Sequence, residues 1–488
     1  MEFAIALTPH SSTSLHRQLY DALRQAILTG RLAPQQRLPS TRALAKALSI
    51  ARSTVTQSYE QLLSEGYLQT VVGSGTYVCD QLPDDLLRSQ SVPTASKPAP
   101  TSIQLSSYGA SLADLAHPAT AEPAAEISFR YGRPALDQFP LEQWRKLLSL
   151  HCRHHDWLDY AADPMGYGPL RSAIAHYLSQ ARAVHCNPEQ ILITNGTQQA
   201  IYLTARLLLE PGERVAFEDP GYLSARRIFE SQGARLLPIT VDGAGFQVSH
   251  LEEVSEAVRL VYVTPSHQFP TGAVLSLARR LALLAWAERT GSLIVEDDYD
   301  SEYRYEGRPI PALQGLGLGQ SVLYMGTFSK VLFPALRIGY IVLPLALVEV
   351  FSRAKWLADR QTPALEQAVL ADFIAEGHLE RHIRRMRSRY DQRRQTLVAA
   401  LKEVFCDRVT ILGENAGLHL MVRFQTELQD AELIARAAQA GVGLISAQSH
   451  YLAGGEGHEF IFSYSELSEE KIQTGIERIA YFLKPARL

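Results

Sequence analysis

Apolar residues near the start of the chain recur at helical spacing. Leu15, Leu19, Ala22 and Ala26 share one face, and Gly30 follows as a stop. Pro39-Ser40 opens a second short helix, with Ser40 as its N-cap and Leu44 and Leu48 inward. A third helical stretch, from about Ala51 to Glu65, puts Val55, Tyr59 and Leu62 on one side, and Gly66 ends it. The period then changes. Tyr67–Val72 and Thr76–Val78 flank Gly73-Ser74-Gly75, which predicts a β-hairpin. Three short helices and a hairpin predict a winged helix-turn-helix over residues 1–78.

From Cys79 to about Ala125 the chain is rich in Ser, Pro and Ala and has little periodicity. Residues 79–125 therefore read as a flexible linker, with room for a short local helix near Ser111–Ala116. From Glu126 onward, apolar runs of strand length alternate with helical or loop-like stretches. The runs are Ile191–Thr194, Arg214–Phe217, Leu260–Thr264, Leu293–Glu296 and Ser321–Met325. That alternation predicts an α/β domain over residues 126–488, built on a mixed, mainly parallel sheet. A long Arg-rich helical stretch begins near Pro363. Strands and a helix at Glu469–Phe482 then predict a smaller C-terminal α/β lobe.

Length and charge refine this division. A chain of 488 residues exceeds one ordinary core. The net charge of -4 is divided unevenly: residues 1–78 carry seven Lys or Arg against four Asp or Glu, a net +3, which leaves -7 for the rest. Only the front end has the sign suited to phosphate. The four cysteines have no C-x-x-C spacing, which argues against a zinc site or a disulfide framework, and no metal is expected. Met1–His10 has no signal-peptide character. The apolar stretch Ile338–Val350 is too short to span a bilayer and contains Pro344. A cytoplasmic protein is expected.

Two groups of residues carry candidate chemistry. On the third helix, Arg52, Ser53, Thr54, Thr56 and Gln57 offer one fork donor and short polar groups, suited to phosphates and base edges in a major groove. Arg42 on the preceding helix suits a phosphate, and Ser74 and Gly75 at the wing tip let backbone approach a strand closely. Taken alone, such a face also fits an ordinary solvated helix.

The second group lies far downstream. Val295-Glu296-Asp297-Asp298-Tyr299 is an apolar strand ending in acids, and Tyr324–Lys330 is a strand passing into Thr327-Phe328-Ser329-Lys330. Pyridoxal phosphate requires this combination. A lysine amine forms a Schiff base with its aldehyde, and an aspartate keeps its pyridine nitrogen protonated. Upstream, Gly196, Thr197 and Gln198 follow an apolar strand and open a helix, where backbone N–H groups and the helix dipole suit a phosphate.

The motifs Leu38-Pro39-Ser40-Thr41-Arg42, Arg52-x-Thr54-Val55, Leu63-x-Glu65-Gly66-Tyr67 and Gly75-Thr76-Tyr77-Val78 resemble the GntR-type winged helix across residues 12–78. The usual capping Ser before the recognition-helix Arg is Ala51 here. Residues 126–488 resemble fold-type I aminotransferases. The whole chain resembles the MocR/GabR subfamily of GntR regulators. That resemblance implies that Tyr222 stacks on the pyridine ring and that Tyr299 meets the phenolic oxygen. It implies that Arg337 pairs with the phosphate, beside Thr327 and Ser329. It also implies a head-to-tail homodimer and a double-stranded DNA operator.

Departures from the aminotransferase pattern bear on function. Phe269 precedes Pro270-Thr271-Gly272 where aminotransferases carry Asn. Ile461 aligns with the arginine that grips a substrate carboxylate. Tyr160 stands one residue farther from Gly166 than the family's tyrosine and is left out of the cofactor site. Arg226, Arg227, Arg130 and Arg133 are the other arginines placed to reach in. The expected function is a transcription regulator that senses pyridoxal phosphate or a small amine. The alternative is an active aminotransferase with a DNA-binding appendage, in which Lys330 shuttles the proton.

Overall fold

Leu19, Leu23, Val55, Leu62 and Val78 are each at most 1% exposed and close one small core. They come from helices Leu15–Leu28, Thr41–Leu48 and Arg52–Ser64 and from a hairpin of Leu68–Val71 with Gly75–Val78. The hairpin is antiparallel, with Leu68 opposite Val78 and Val71 opposite Gly75. Ser40 caps the second helix by accepting from Ala43 N at 3.2 Å. Ala51 gives the third helix no side-chain cap. This winged helix-turn-helix belongs to a unit spanning residues 1–104, and residues 105–488 form a second unit. The computed structural model describes residues 5–9, 11–84, 103–113, 125–160, 163–307, 310–317, 320–455 and 457–483.

The second unit is built on an eight-stranded sheet. Its order is Ile191–Thr194, Gly339–Val342, Val322–Thr327, Leu293–Asp298, Val258–Val263, Arg214–Asp219, Arg235–Asp242 and Gly245–Phe246. Gly339–Val342 runs antiparallel to both neighbours, and Gly245–Phe246 is antiparallel to Arg235–Asp242. The remaining pairings are parallel. The sheet is covered on both faces, as a parallel sheet requires. Ile191 and Ile193 join a cluster with Leu170, Ile174 and Phe373, whereas Leu192 between them joins Ile201, Phe229 and Phe351. That is the period-two alternation of a strand buried on both sides.

The smaller lobe is an antiparallel sheet of Val409–Leu412, His419–Phe424, Glu459–Ser463 and Ile445–Ser446. Helices His378–Phe405 and Glu469–Leu483 pack against each other beside it. Ile127–Ser128 pairs with Val442–Gly443, so the first residues after the linker are woven into this C-terminal lobe. Within the stretch read as linker, Ser107–Ala113 is helical and packs against helix Leu223–Ser231. Residues 85–102 and 114–124 of that stretch lie outside the described residues. Among the described residues no helix is long and apolar enough to cross a membrane.

Several strands run further than hydrophobicity indicates. Asp297 and Asp298 lie inside Leu293–Asp298, and Thr327 lies inside Val322–Thr327. Buried carboxylates can end a strand only where tertiary partners meet them. Asp298 Oδ2 accepts from Arg182 Nε at 2.8 Å, Tyr324 OH at 2.6 Å and Ser301 Oγ at 2.9 Å. Burial alone would raise this carboxyl, but Arg182 and the two hydroxyls outweigh it and hold it below the usual range. Arg182 in turn donates to Ser266 Oγ at 2.6 Å and to the Ile310 carbonyl at 3.2 Å. The pair thus joins a helix, the central strand and two loops. Arg182→Met is expected to destabilise the second unit by about 3–5 kcal/mol, because it strands a buried carboxylate. Urea unfolding followed by tryptophan fluorescence measures this, and Arg182→Met/Asp298→Asn should recover part of the loss.

Candidate functional site

The winged helix presents the residues selected for DNA on one side of its core. Arg42, Arg52, Ser53 and Gln57 are exposed, and Thr54 and Thr56 are partly exposed. Val55, between them, is fully buried and fixes which side of the helix faces out. Arg52 Nε lies 3.4 Å from Thr41 Oγ1, which ties the recognition helix to the start of the preceding one. The Thr56 hydroxyl donates to the Arg52 carbonyl at 3.0 Å, so it acts within its own helix. At the wing, Ser74 Oγ meets Tyr77 OH at 2.5 Å. A Cβ at Gly75 would meet Arg37 Nε at 2.9 Å, so the glycine lets an exposed arginine lie across the wing. Arg37 was not among the residues read from the sequence, because nothing in Gln36-Arg37-Leu38 marks its approach to the hairpin.

In the second unit a cavity of about 140 Å³ opens at the carboxyl ends of the parallel strands. Such strand ends are where open α/β sheets bind ligands. All ten residues assigned to the cofactor line this cavity: Gly196, Thr197, Gln198, Tyr222, Asp297, Tyr299, Thr327, Ser329, Lys330 and Arg337. They come from segments spread over about 140 residues, and the sheet order brings the segments side by side.

Gly196 sits at φ +82° and precedes helix Thr197–Leu208. An L side chain is strained at that φ, and a Cβ there would lie 3.0 Å from Arg337 Nη2, so glycine gives the guanidinium its closest approach. Arg337 donates to the Asn195 carbonyl at 2.7 Å. A partly buried network holds the turn. Asp359 Oδ2 accepts from Asn195 Nδ2 at 2.6 Å, Gln199 Nε2 at 2.7 Å and Lys355 Nζ at 2.8 Å. Together the helix start, Arg337, Thr327 and Ser329 gather donors of the kind that suits an anion. The Ser329 hydroxyl is buried with no partner, as a donor kept for a ligand is.

Asp297 faces the same cavity from the central strand. Its Oδ2 accepts from Tyr262 OH at 2.6 Å, while its Oδ1 is buried without a partner. Burial pushes this carboxyl up to about 6, despite the Tyr262 hydrogen bond and nearby Lys330. A protonated ring nitrogen is the donor that such an oxygen fits. Lys330 Nζ donates to the Gly132 carbonyl at 2.8 Å. Burial lowers its amine from the ordinary value, with Asp300 and then Asp297 opposing the shift. A lowered lysine holds more of its amine neutral, the form that attacks a carbonyl carbon. Tyr299 OH donates to the His267 carbonyl at 2.9 Å and lies 3.1 Å from His267 Nδ1. Tyr222 packs edge-on to Phe269, with centroids 5.8 Å apart.

The carboxylate-binding side differs from a clamp. Ile461 is fully buried in a cluster with Phe269, Met421 and Ala447. Arg337 is the only arginine among the lining residues. Arg226 is engaged with the Tyr451 carbonyl at 3.1 Å and with Glu230 at 3.8 Å, and Arg130, Arg133 and Arg227 do not line the cavity. Tyr160 is 72% exposed, with Arg360 over its ring at 5.1 Å.

Sequence reading missed several wall residues, among them Tyr131, Gly132, Asp300, Leu418, His419 and Ser463. Asp300 stands three residues after Asp297, and the acidic run itself was the signal for it. The others enter from the smaller lobe and the segment woven into it, which local pattern does not reveal. His267, Asp300 and His419 also form a buried group whose potential ligand atoms lie within 4.8 Å of one another.

Two family models match the chain. "Aminotransferase class I and II" covers residues 127–479, and "Bacterial regulatory proteins, gntR family" covers residues 15–78. The probable rhizopine catabolism regulatory protein MocR of Rhizobium meliloti is 40% identical over 97% of this chain and 95% of its own length. The pyridoxine biosynthesis transcriptional regulator PdxR of Corynebacterium glutamicum is 31% identical over 98% of each. Among solved structures, the α-aminoadipate aminotransferase LysN of Thermus thermophilus, complexed with N-(5'-phosphopyridoxyl)-L-leucine, superposes with a TM-score of 0.69 at 30% identity. That match covers 78% of this chain and 95% of LysN. The chain therefore belongs to the MocR-type GntR-family transcription regulators, in which a DNA-binding winged helix is joined to a fold-type I aminotransferase-like domain.

Proposed function

We propose that the second unit binds pyridoxal phosphate through Lys330, and that the state of this site sets the affinity of the winged helix for its operator. The signal is pyridoxal phosphate itself or a small primary amine without an α-carboxylate. The observation that carries this reading is the convergence of Lys330, the unpartnered Asp297 Oδ1 and the Gly196–Arg337 cradle on one cavity. When bound, pyridoxal phosphate supplies an aldehyde that condenses reversibly with amines and a ring that accepts electron density.

Each wall residue then has a task. The N–H groups of Gly196, Thr197 and Gln198, with Arg337, Thr327 and Ser329, hold the phosphate. Asp297 holds the ring nitrogen, Tyr222 covers the ring face and Tyr299 meets the phenolic oxygen. The protein acts as a cytoplasmic head-to-tail homodimer, the arrangement its family resemblance implies. Sustained transamination is not expected, because Ile461 offers no bidentate partner to an amino-acid carboxylate. An active aminotransferase is the competing reading, and turnover with amino acids and a keto acid would establish it.

Three measurements test the proposal. Borohydride reduction of the yellow holoprotein is expected to fix the cofactor on Lys330, and Lys330→Ala should lose the visible band while keeping its fold. A label on a different lysine would overturn the assignment.

Asp297→Asn should have opposite effects on stability and on cofactor binding. The folded carboxyl, at about 6, lies above its ordinary value of 3.8, so the folded state binds the extra proton. Stability therefore falls as pH rises from about 4 to about 6, and the cost is complete above that window, at about 1–3 kcal/mol. The cofactor-free variant should melt above the unmodified protein at about pH 7.5 and lose that lead by about pH 4. Its affinity for pyridoxal phosphate should fall by about tenfold or more, read by equilibrium dialysis.

For DNA, Arg52→Ala should cost about 1–3 kcal/mol and relax sequence preference if Arg52 reads a base. Arg42→Ala should weaken binding across all sequences and flatten the salt dependence. Unchanged operator affinity in the full-length double variant would reject both roles.

A further inference from the structure

One carboxylate on the cavity wall has no counterpart among the cofactor's charges. Asp297 answers the ring nitrogen, and Arg337 with the helix start answers the phosphate. Asp300 is left over. It is 1% exposed and lines the cavity. Its Oδ2 accepts from His267 Nδ1 at 3.0 Å and from Leu418 N at 3.2 Å. Its Oδ1 is buried and has no partner. A buried carboxyl oxygen without a donor is costly until one reaches it.

The surroundings offer no fixed cation. His419, whose ring centroid lies 4.7 Å from that of His267, is held neutral by burial and by that neighbouring imidazole. Ser463 and Leu418 complete this part of the wall. Besides the His267 imidazole at 3.0 Å, the ammonium of Lys330 lies within electrostatic reach, and Asp300 outranks Asp297 as the group opposing the effect of burial on it. That charge is no longer fixed there once the lysine nitrogen is engaged by an aldehyde. An amine effector then enters a chamber with one unanswered carboxylate, no clamp arginine and the aliphatic Ile461.

Resting on the assignment of Lys330 as the cofactor lysine, we propose that Asp300 anchors a second cationic group on the effector. The ligand class is a short diamine without a carboxylate: its primary amine forms the C=N bond to the cofactor carbon as the C=N bond to Lys330 breaks, which frees Lys330 as the neutral amine that burial favours, and its distal ammonium meets Asp300 Oδ1. A carboxylate at the distal end would face Asp300 and meet like charge.

The test uses full-length protein loaded with pyridoxal phosphate. Butylamine, 4-amino-1-butanol, 1,4-diaminobutane and 4-aminobutanoate share a four-carbon chain and differ at the far end. Each is titrated against the cofactor's visible absorbance, with operator binding followed in parallel. The diamine is expected to bind on the order of tenfold more tightly than butylamine. The amino alcohol should fall between them, and 4-aminobutanoate should be weakest. Asp300→Asn should collapse the ratio between diamine and butylamine. Should that variant fail to take up cofactor, the ranking on the unmodified protein decides.

Equal binding of diamine and butylamine, tightest binding of 4-aminobutanoate, or an amino alcohol that matches the diamine would overturn the proposal. So would loss of the diamine's lead on adding a chelator, which would assign His267, Asp300 and His419 to a metal ion. If borohydride labels Lys330 but no amine alters the absorbance, this proposal falls and the cofactor assignment stands. If Lys330 is not labelled, both fall.

Discussion

The constraint on which the second unit depends is a row of buried carboxylates at the end of its central strand. Glu296, Asp297, Asp298 and Asp300 are each at most 5% exposed. Four acids so close repel one another and lose hydration, so each needs its own answer. Glu296 accepts from the backbone N–H groups of Leu313 and Gln314, at 2.9 and 3.1 Å. Asp298 takes Arg182, Asp297 takes Tyr262, and Asp300 takes His267. Those partners arrive from neighbouring strands, helices and loops, so meeting the acids and closing the fold are one event. Asp297, Asp298 and Asp300 each keep one buried oxygen without a hydrogen-bond partner, and of these three Asp297 and Asp300 line the cavity. Asp298 shares the strand end yet is turned to Arg182 and does not line it. Strand alternation turns Asp297 and Asp298 to opposite faces, whereas Asp300 lines the cavity from beyond the strand's end.

Much of this was legible in the sequence, for identifiable reasons. The three front helices showed because each has a clear apolar stripe and a Gly or Ser at its ends. Lys330 and Asp297 showed because their strands are strongly apolar and their chemistry is specific. Strand lengths were less legible. Asp297, Asp298 and Thr327 are polar, and they remain in the ladder only because tertiary partners satisfy them. Strand Gly339–Val342 was hidden for a different reason. It lies in an apolar stretch that continues through Pro344, and its antiparallel place between two distant strands depends on topology rather than composition. The contributions of Gly132 and His419 were illegible because they reach the cavity from opposite ends of the domain's sequence.

The anion cradle shows how far from a ligand its specification extends. Gly196 is needed because Arg337 approaches to where a Cβ would sit. Arg337 itself adopts φ +54°, a conformation that L residues rarely take. Asn195 and Gln199 are fixed by Asp359, and Asp359 is held by the buried Lys355. Lys355 is therefore as buried as a core leucine yet keeps a charge partner and two neutral acceptors, Gln199 at 2.9 Å and Thr362 at 3.0 Å. Three donors meet on Asp359 Oδ2, and this shared contact braces the turn. Preorganisation of this kind lowers the cost of ordering on binding.

The two departures from the aminotransferase pattern are one physical change. Phe269 and Ile461 are far apart in sequence, yet they share an apolar cluster with Met421 and Ala447. Phe269 packs against Tyr131 at 4.9 Å and His419 at 5.1 Å between centroids, so it also sets the shape of the effector side. A guanidinium placed at residue 461 would be buried against these apolar side chains, at the cost of desolvating a charge. An asparagine at residue 269 would likewise face Ile461 and leave an amide unsatisfied. Each replacement is unfavourable alone, so a carboxylate clamp and an apolar wall are alternatives separated by a coupled change. On the proposed reading, the absence of an arginine at residue 461 and the unpartnered oxygen of Asp300 act together, favouring amines over acids in this chamber.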